Sequence, residues 1–224
     1  MARVLFLRHH LEDSPGLIGD AFREHGFEFD VAMMDASNPT PDVSGYDILV
    51  ILGSKSAVYD IDVEAAWFGR ELGLIGDATR LGIPILGICF GAQALCQFHG
   101  GVVEASDEPE IGWYDVDSHN GSGIASGPWF EFHFDRCTLP DEAELWATSP
   151  RAVQAFAVGT NVGVQFHPEI DDVQLNEWFS SDPEFAREFG VDVDALLAQT
   201  ALESPAARER AVVLVDLFLR HVGR

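Results

Sequence analysis

The chain has 224 residues, 47% of them hydrophobic and 22% charged, which suits one domain with a full hydrophobic core. With 37 acidic against 13 basic side chains the net charge is −24, a balance that repels nucleic acid and anionic membranes. The N-terminal apolar run is too short for a signal peptide and no apolar stretch has membrane length, so the expectation is a cytoplasmic protein.

The elements follow in chain order. Val4 to Leu7 reads as a first strand. Ser14 and Pro15 then supply an N-cap and first helical position ahead of Ile18, Ala21 and Phe22 at helical spacing. Phe27 to Met33 is a second strand. The run from Tyr46 to Leu52, continuously apolar after Asp47, is a third, buried on both faces. A helix over roughly 61–80 carries Phe68, Leu72 and Ile75 on one stripe, and Ile83 to Ile88 is the next strand. Strands alternating with helices imply a parallel sheet. From Gly101 onward the pattern changes to short β segments: Val102 to Glu104, Gly112 to Val116, Phe130 to Phe134, Glu144 to Thr148, Val153 to Ala157 and Val162 to Phe166. The part from 171 to 224 is helical and closes with a helix starting near Ser204-Pro205, with Ala211, Leu214, Val215, Phe218 and Val222 at helical spacing. Without repeats or linkers, 1–224 reads as a single domain.

Pro84-Ile85-Leu86-Gly87-Ile88-Cys89-Phe90-Gly91-Ala92-Gln93 concentrates the chemistry. An apolar run, a cysteine between two glycines and a helix-compatible continuation read as strand, tight turn and helix, the geometry that exposes the serine of G-x-S-x-G hydrolases. Here the nucleophile is sulfur, at a helix N-terminus where the dipole favours thiolate. Taken alone the pentapeptide fits a structural cysteine equally well. Cys96 and Cys137 read as reduced packing residues, because three cysteines without close spacing make neither a disulfide framework nor a metal site.

Val164-Gln165-Phe166-His167-Pro168-Glu169 places a histidine and a carboxylate two residues apart at a strand end, on the same face of an extended segment. Glu169 can then accept from one ring nitrogen of His167, leaving the other for Cys89. By itself such a tripeptide is more often a surface turn.

Together, Gly87-Ile88-Cys89-Phe90-Gly91-Ala92-Gln93 and Gln165-Phe166-His167-Pro168-Glu169 resemble the paired motifs of the class I (triad-type) glutamine amidotransferase family, in order and in separation. The resemblance implies an α/β fold with an open, mostly parallel, flavodoxin-like sheet flanked by helices, plus short antiparallel strands. It implies Cys89 as nucleophile, His167 as general base and acid, and Glu169 as the orienting carboxylate. Leu52-Gly53-Ser54-Lys55 is similar to the family's oxyanion loop, although members commonly carry Gly-Gly-Pro where Leu52-Gly53-Ser54 stands; Gly53 is kept, and its amide with that of Phe90 would hold an oxyanion. Lys55, the chain's only lysine, reads as a solvated side chain or as a holder of a substrate carboxylate or the thiolate.

Similarity continues through Glu110-Ile111-Gly112-Trp113, Phe132-His133-Phe134-Asp135 and Gln154-Ala155-Phe156, which resemble the stand-alone branch like the amidotransferase part of GMP synthase. Gln93 and Asp135 are candidates for gripping the α-carboxylate and α-amino ends of glutamine, with a turn cap and a solvated carboxylate as the alternatives; His133 reads as a packing or hydrogen-bonding residue rather than a ligand. The expected reaction is glutamine to glutamate and ammonia through a γ-glutamyl thioester, with no metal or organic cofactor. An ammonia acceptor would be a separate synthetase polypeptide, since the motifs and core elements use the whole chain. A γ-glutamyl peptidase or hydrolase, and a catalytically silent regulatory homologue, are the competing readings.

Overall fold

Successive residues of a strand face opposite sides of its sheet, and in this protein that alternation sorts the apolar residues into two cores. The computed structural model describes residues 1–60, 62, 64–184 and 189–224. Its main sheet has eight strands in the order β2-β1-β3-β4-β10-β9-β8-β6. β1 (Arg3–Arg8), β2 (Glu28–Met33), β3 (Ile48–Ile51), β4 (Ile85–Ile88) and β10 (Asn161–Val164) run parallel, and β9 (Val153–Val158), β8 (Glu144–Thr148) and β6 (Asp117–Ser118) extend the sheet antiparallel. Val4, Phe6, Ile48 and Val50 face one side, against α1 (Gly16–Glu24) and the end of α5 (Val193–His221); Leu5, Leu7, Leu49 and Ile51 face the other, against α2 (Gly69–Leu81) and α3 (Phe90–Phe98). β5 (Val102–Tyr114) and β7 (Trp129–Thr138) form a separate antiparallel pair, and α4 (Asp172–Ser181) covers β7 through Leu175 and Phe179. The α/β, mostly parallel architecture with additional antiparallel strands matches the expectation.

Four local readings change. α1 starts at Gly16, with Pro15 at the cap position, because Ser14 turns its hydroxyl to Gln174 and accepts from the Gly16 amide. The helix expected over 61–80 contains a π-helical turn, Glu64–Phe68, that runs into α2; Ile61 and Val63 lie outside the described residues. The segments read as 102–104 and 112–116 join in the one strand β5, which stops at Tyr114 and whose register shifts between Ala105 and Glu110; Pro109, which cannot donate to a ladder, falls inside that irregularity.

The closing helix starts at Val193, not near Ser204. Pro205 sits inside it, at a cost of about 3 kcal/mol. Burial of Leu196 and Thr200 before the proline and of Ala207, Ala211, Leu214, Val215 and Phe218 after it outweighs that cost, and the Asp192 carboxylate caps the start by accepting from the Ala195 amide at 3.1 Å.

Candidate active site

Four parallel strands end at one cavity, each delivering a residue: β1 is followed by His10, β3 by Gly53, β4 by Cys89 and β10 by His167. Open α/β sheets bind ligands at this carboxyl edge. The cavity measures about 290 Å³, which suits a ligand the size of an amino acid.

Cys89 occupies the turn between β4 and α3 at φ 52° and ψ −106°, a conformation uncommon for any residue but glycine. The turn is held on both sides: the Cys89 amide donates to the Val164 carbonyl at 2.8 Å and its carbonyl accepts from the Gln93 amide at 3.0 Å. The flanking glycines are steric necessities, since a β-carbon on Gly87 would lie 2.4 Å from the Gly91 carbonyl oxygen and one on Gly91 2.3 Å from that of Ile51. Phe90 is the first residue of α3, so its amide has no acceptor within the helix.

His167 is buried, and its backbone amide donates to the Phe130 carbonyl at 2.7 Å. Its Nδ1 donates to Glu169 Oε1 at 2.7 Å; Nε2, also buried, makes no hydrogen bond of ordinary geometry. Burial opposes charge on the ring, yet Glu169 and then the Cys89 sulfur outweigh it and hold the His167 pKa well above 6.5. The backbone of Glu169 is pinned in turn, its carbonyl accepting from the Leu17 amide at 2.9 Å. Opposite stands Gly53, where a β-carbon would lie 2.9 Å from His167 Cε1 and 3.7 Å from the Cys89 β-carbon. The arrangement can therefore pass a proton between sulfur and imidazole.

The other sequence-selected residues also line the cavity. Gln93 is buried and donates from Nε2 to Gln165 Oε1 at 3.2 Å; Asp135 accepts from the Tyr59 hydroxyl at 2.6 Å. Burial lifts the Asp135 carboxyl, and burial with the Asp135 contact pushes Tyr59 up to about 12. Lys55 reaches across the mouth to Asp182, Nζ to Oδ2 3.0 Å. Cys96 and Cys137 are buried and free, and among the described residues no group of three metal-ligating side chains is placed to hold an ion.

Sequence reasoning passed over two buried acid–histidine clusters. His9 donates from Nδ1 to the Gly53 carbonyl at 2.8 Å, and its Nε2 lies 2.8 Å from Glu71 Oε2, both side chains almost fully enclosed. Burial opposes charge there too, but Glu71 wins and raises the His9 pKa. The available signal was Glu71 itself, one carboxylate in the buried stripe Phe68, Glu71, Ile75, Ala78. In the second cluster, His133 donates from Nδ1 to the Asp135 carbonyl at 2.9 Å and places Nε2 3.1 Å from Glu110 and 3.3 Å from Glu131. Glu110 also accepts from Ser149 and Gln154, whereas neither carboxylate oxygen of Glu131 has a hydrogen bond. Burial, opposed by His133, lifts Glu131 to about 7; against its own burial, Glu110 and Glu131 lift His133 to about 10. The expectation that His133 packs and hydrogen-bonds fits this setting.

The model of the family described as glutamine amidotransferase class-I matches residues 16–175. The chain is 31% identical over 158 residues to the GMP synthase [glutamine-hydrolyzing] of Desulfotalea psychrophila, covering 65% of this chain but only 28% of that protein. A crystal structure of a glutamine amidotransferase from Thermotoga maritima is similar along the whole chain, at a TM-score of 0.88 and 27% identity over 100% of this chain and 99% of the other. A glutamine amidotransferase from Methylobacillus flagellatus shares the fold at a TM-score of 0.86 and 23% identity, covering 100% and 96%.

Proposed function

The chain belongs to the class I glutamine amidotransferase family, and from that premise we propose that it hydrolyses the side-chain amide of glutamine to glutamate and ammonia with a Cys89–His167–Glu169 triad. The observation that carries this is the strained turn that presents Cys89 beside an imidazole whose Nδ1 is committed to Glu169, leaving Nε2 for the sulfur.

In the proposed reaction the Cys89 thiolate, its proton already held on His167 Nε2, attacks the amide carbon. The Gly53 and Phe90 amides hold the oxyanion, a contribution worth about 10²–10³ in kcat per donor. Collapse of the tetrahedral intermediate expels ammonia, which takes the proton from His167 and leaves a γ-glutamyl thioester. Water, losing its proton to the same imidazole, attacks the thioester and releases glutamate. Every step is proton transfer, addition or elimination, which these side chains can perform unaided. Gln93 and Asp135 bind the amino-acid end of the substrate. The residues from 1 to 224 act as one domain, with 171–224 as its helical part, and a synthetase is the proposed recipient of the ammonia.

The leaving-group side supports a second reading. Trp178 packs edge-on against His167 at 5.2 Å, and Phe132 and Phe179 stand beside it. An apolar wall next to the proton donor also suits a γ-glutamyl amide whose leaving amine is larger than ammonia. Incubation with glutamine and with a panel of γ-glutamyl compounds, followed by mass analysis of Cys89, tests both. A γ-glutamyl adduct that is absent in Cys89→Ser supports the chemistry, and the compound that forms it decides the substrate. If none of them acylates Cys89, with candidate synthetases present or absent, the proposal falls.

A further inference from the structure

Gly53 poses a mechanical problem. It must lack a side chain because His167 fills that space, and a residue without a β-carbon keeps the widest backbone freedom in the chain. The usual restraint on this loop is missing too, since Ser54 stands where the resemblance places proline, and serine leaves φ free. Yet an oxyanion donor is useful only if its direction is set before the charge develops.

We infer that the buried His9–Glu71 pair positions the oxyanion hole, holding the Gly53 carbonyl from one side and bracing Phe90 from the other. The inference rests on the reading of Gly53 and Phe90 as the oxyanion donors. A carbonyl oxygen only accepts, so Nδ1 of His9 carries a proton and donates it, at 2.8 Å. The opposite nitrogen faces Glu71 Oε2 at 2.8 Å, so a second proton lies in that contact whichever atom it is bonded to. With Nε2 bound in this way the ring cannot turn, and Nδ1 stays aimed at Gly53. The ring packs against Phe90 at 5.0 Å between centroids and against Trp67 at 4.7 Å. Trp67 touches Phe90 as well, at 5.5 Å. A single imidazole thus contacts both residues whose amides are to receive the oxyanion, and Glu71, four residues after Trp67, anchors it from the helix behind.

His9→Phe keeps an aromatic ring between Trp67 and Phe90 but removes the hydrogen bond, and His9→Asn restores a donor close to the Nδ1 position. Three readouts are compared: kcat and KM for glutamine, the rate at which iodoacetamide alkylates Cys89, and hydrogen exchange in the segment 49–59. Alkylation is a direct displacement that uses the sulfur but no oxyanion hole. In His9→Phe we expect kcat to fall about 10–100-fold with KM within about threefold, and alkylation to persist. Exchange in the loop should rise about tenfold or more. His9→Asn should recover most of kcat and of the exchange protection, and Glu71→Gln, which leaves an amide to bond Nε2, should lose less than His9→Phe. The inference is overturned if His9→Asn is as impaired as His9→Phe, if KM carries the loss, or if alkylation collapses in step with kcat, which marks a merely structural residue. If the unaltered protein alkylates at Cys89 but turns over neither glutamine nor γ-glutamyl amides, the proposed function fails. The anchor is then decided by exchange alone, and a loop equally protected in His9→Phe overturns it.

Discussion

Gly53 and His167, 114 positions apart in the chain, approach so closely that a β-carbon on the glycine would lie 2.9 Å from the imidazole Cε1. The contact couples the proposed oxyanion loop to the proposed base, so neither can be altered without moving the other.

Gly53→Ala is therefore expected to fold and to fail in catalysis. The imidazole edge or the loop has to give by several tenths of an ångström, and we expect kcat to fall about 100-fold or more, as for loss of an oxyanion donor. Steady-state kinetics beside a thermal melt check this; a melt within a few degrees of the parent with unchanged kcat would refute it.

Glu169→Gln removes the strongest influence raising the His167 pKa, so that pKa should drop toward, or below, the ordinary histidine range. The pH profile of Cys89 alkylation should shift with it. Turnover should fall at least about 100-fold, since the imidazolium that accompanies the thiolate loses its counter-charge.

Asp135→Asn tests substrate binding. A hydrogen bond to a charged group contributes about 1.5–3 kcal/mol, so KM for glutamine should rise roughly 10–100-fold with a smaller change in kcat. Tyr59→Phe, which removes the hydroxyl 2.6 Å from Asp135, should perturb KM in the same assay by less.

Glu131 predicts a pH dependence of stability. Its folded pKa, about 7, lies above the unfolded value near 4.5, so between those pH values the folded state keeps a proton that the unfolded chain has released. Stability therefore falls as pH rises through that window. His133, at about 10 against 6.5 unfolded, acts in the same direction: its contribution is complete below pH 6.5 and is lost as pH rises through about 10. Glu131→Gln stays neutral throughout, so urea unfolding should show the variant gaining on the parent between pH 5 and pH 8. A stability difference independent of pH would contradict the assignment.

Motifs and periodicity determined a good deal here. A glycine-flanked cysteine after a buried strand, and a histidine two residues before a glutamate, are local patterns, and local sterics carry them into the structure: Cys89 takes its positive φ and His167 meets Glu169 across a single proline. Apolar runs likewise placed β1, β3 and β4 to within two residues or so, because strands buried on both faces have to be continuously apolar. What the tertiary structure decided was whatever depends on burial between distant segments. Pro205 could lie inside a helix only because residues on both sides of it were buried; two expected strands became one because β7 offered a long partner. His9 and Glu71, 62 positions apart, each look unremarkable alone, one at a strand end and the other a charge in a helix stripe. Their meaning comes from desolvation: enclosed together, each leaves the other as its principal polar partner, and the remaining nitrogen of the pair points at the carbonyl of the loop that Cys89 faces.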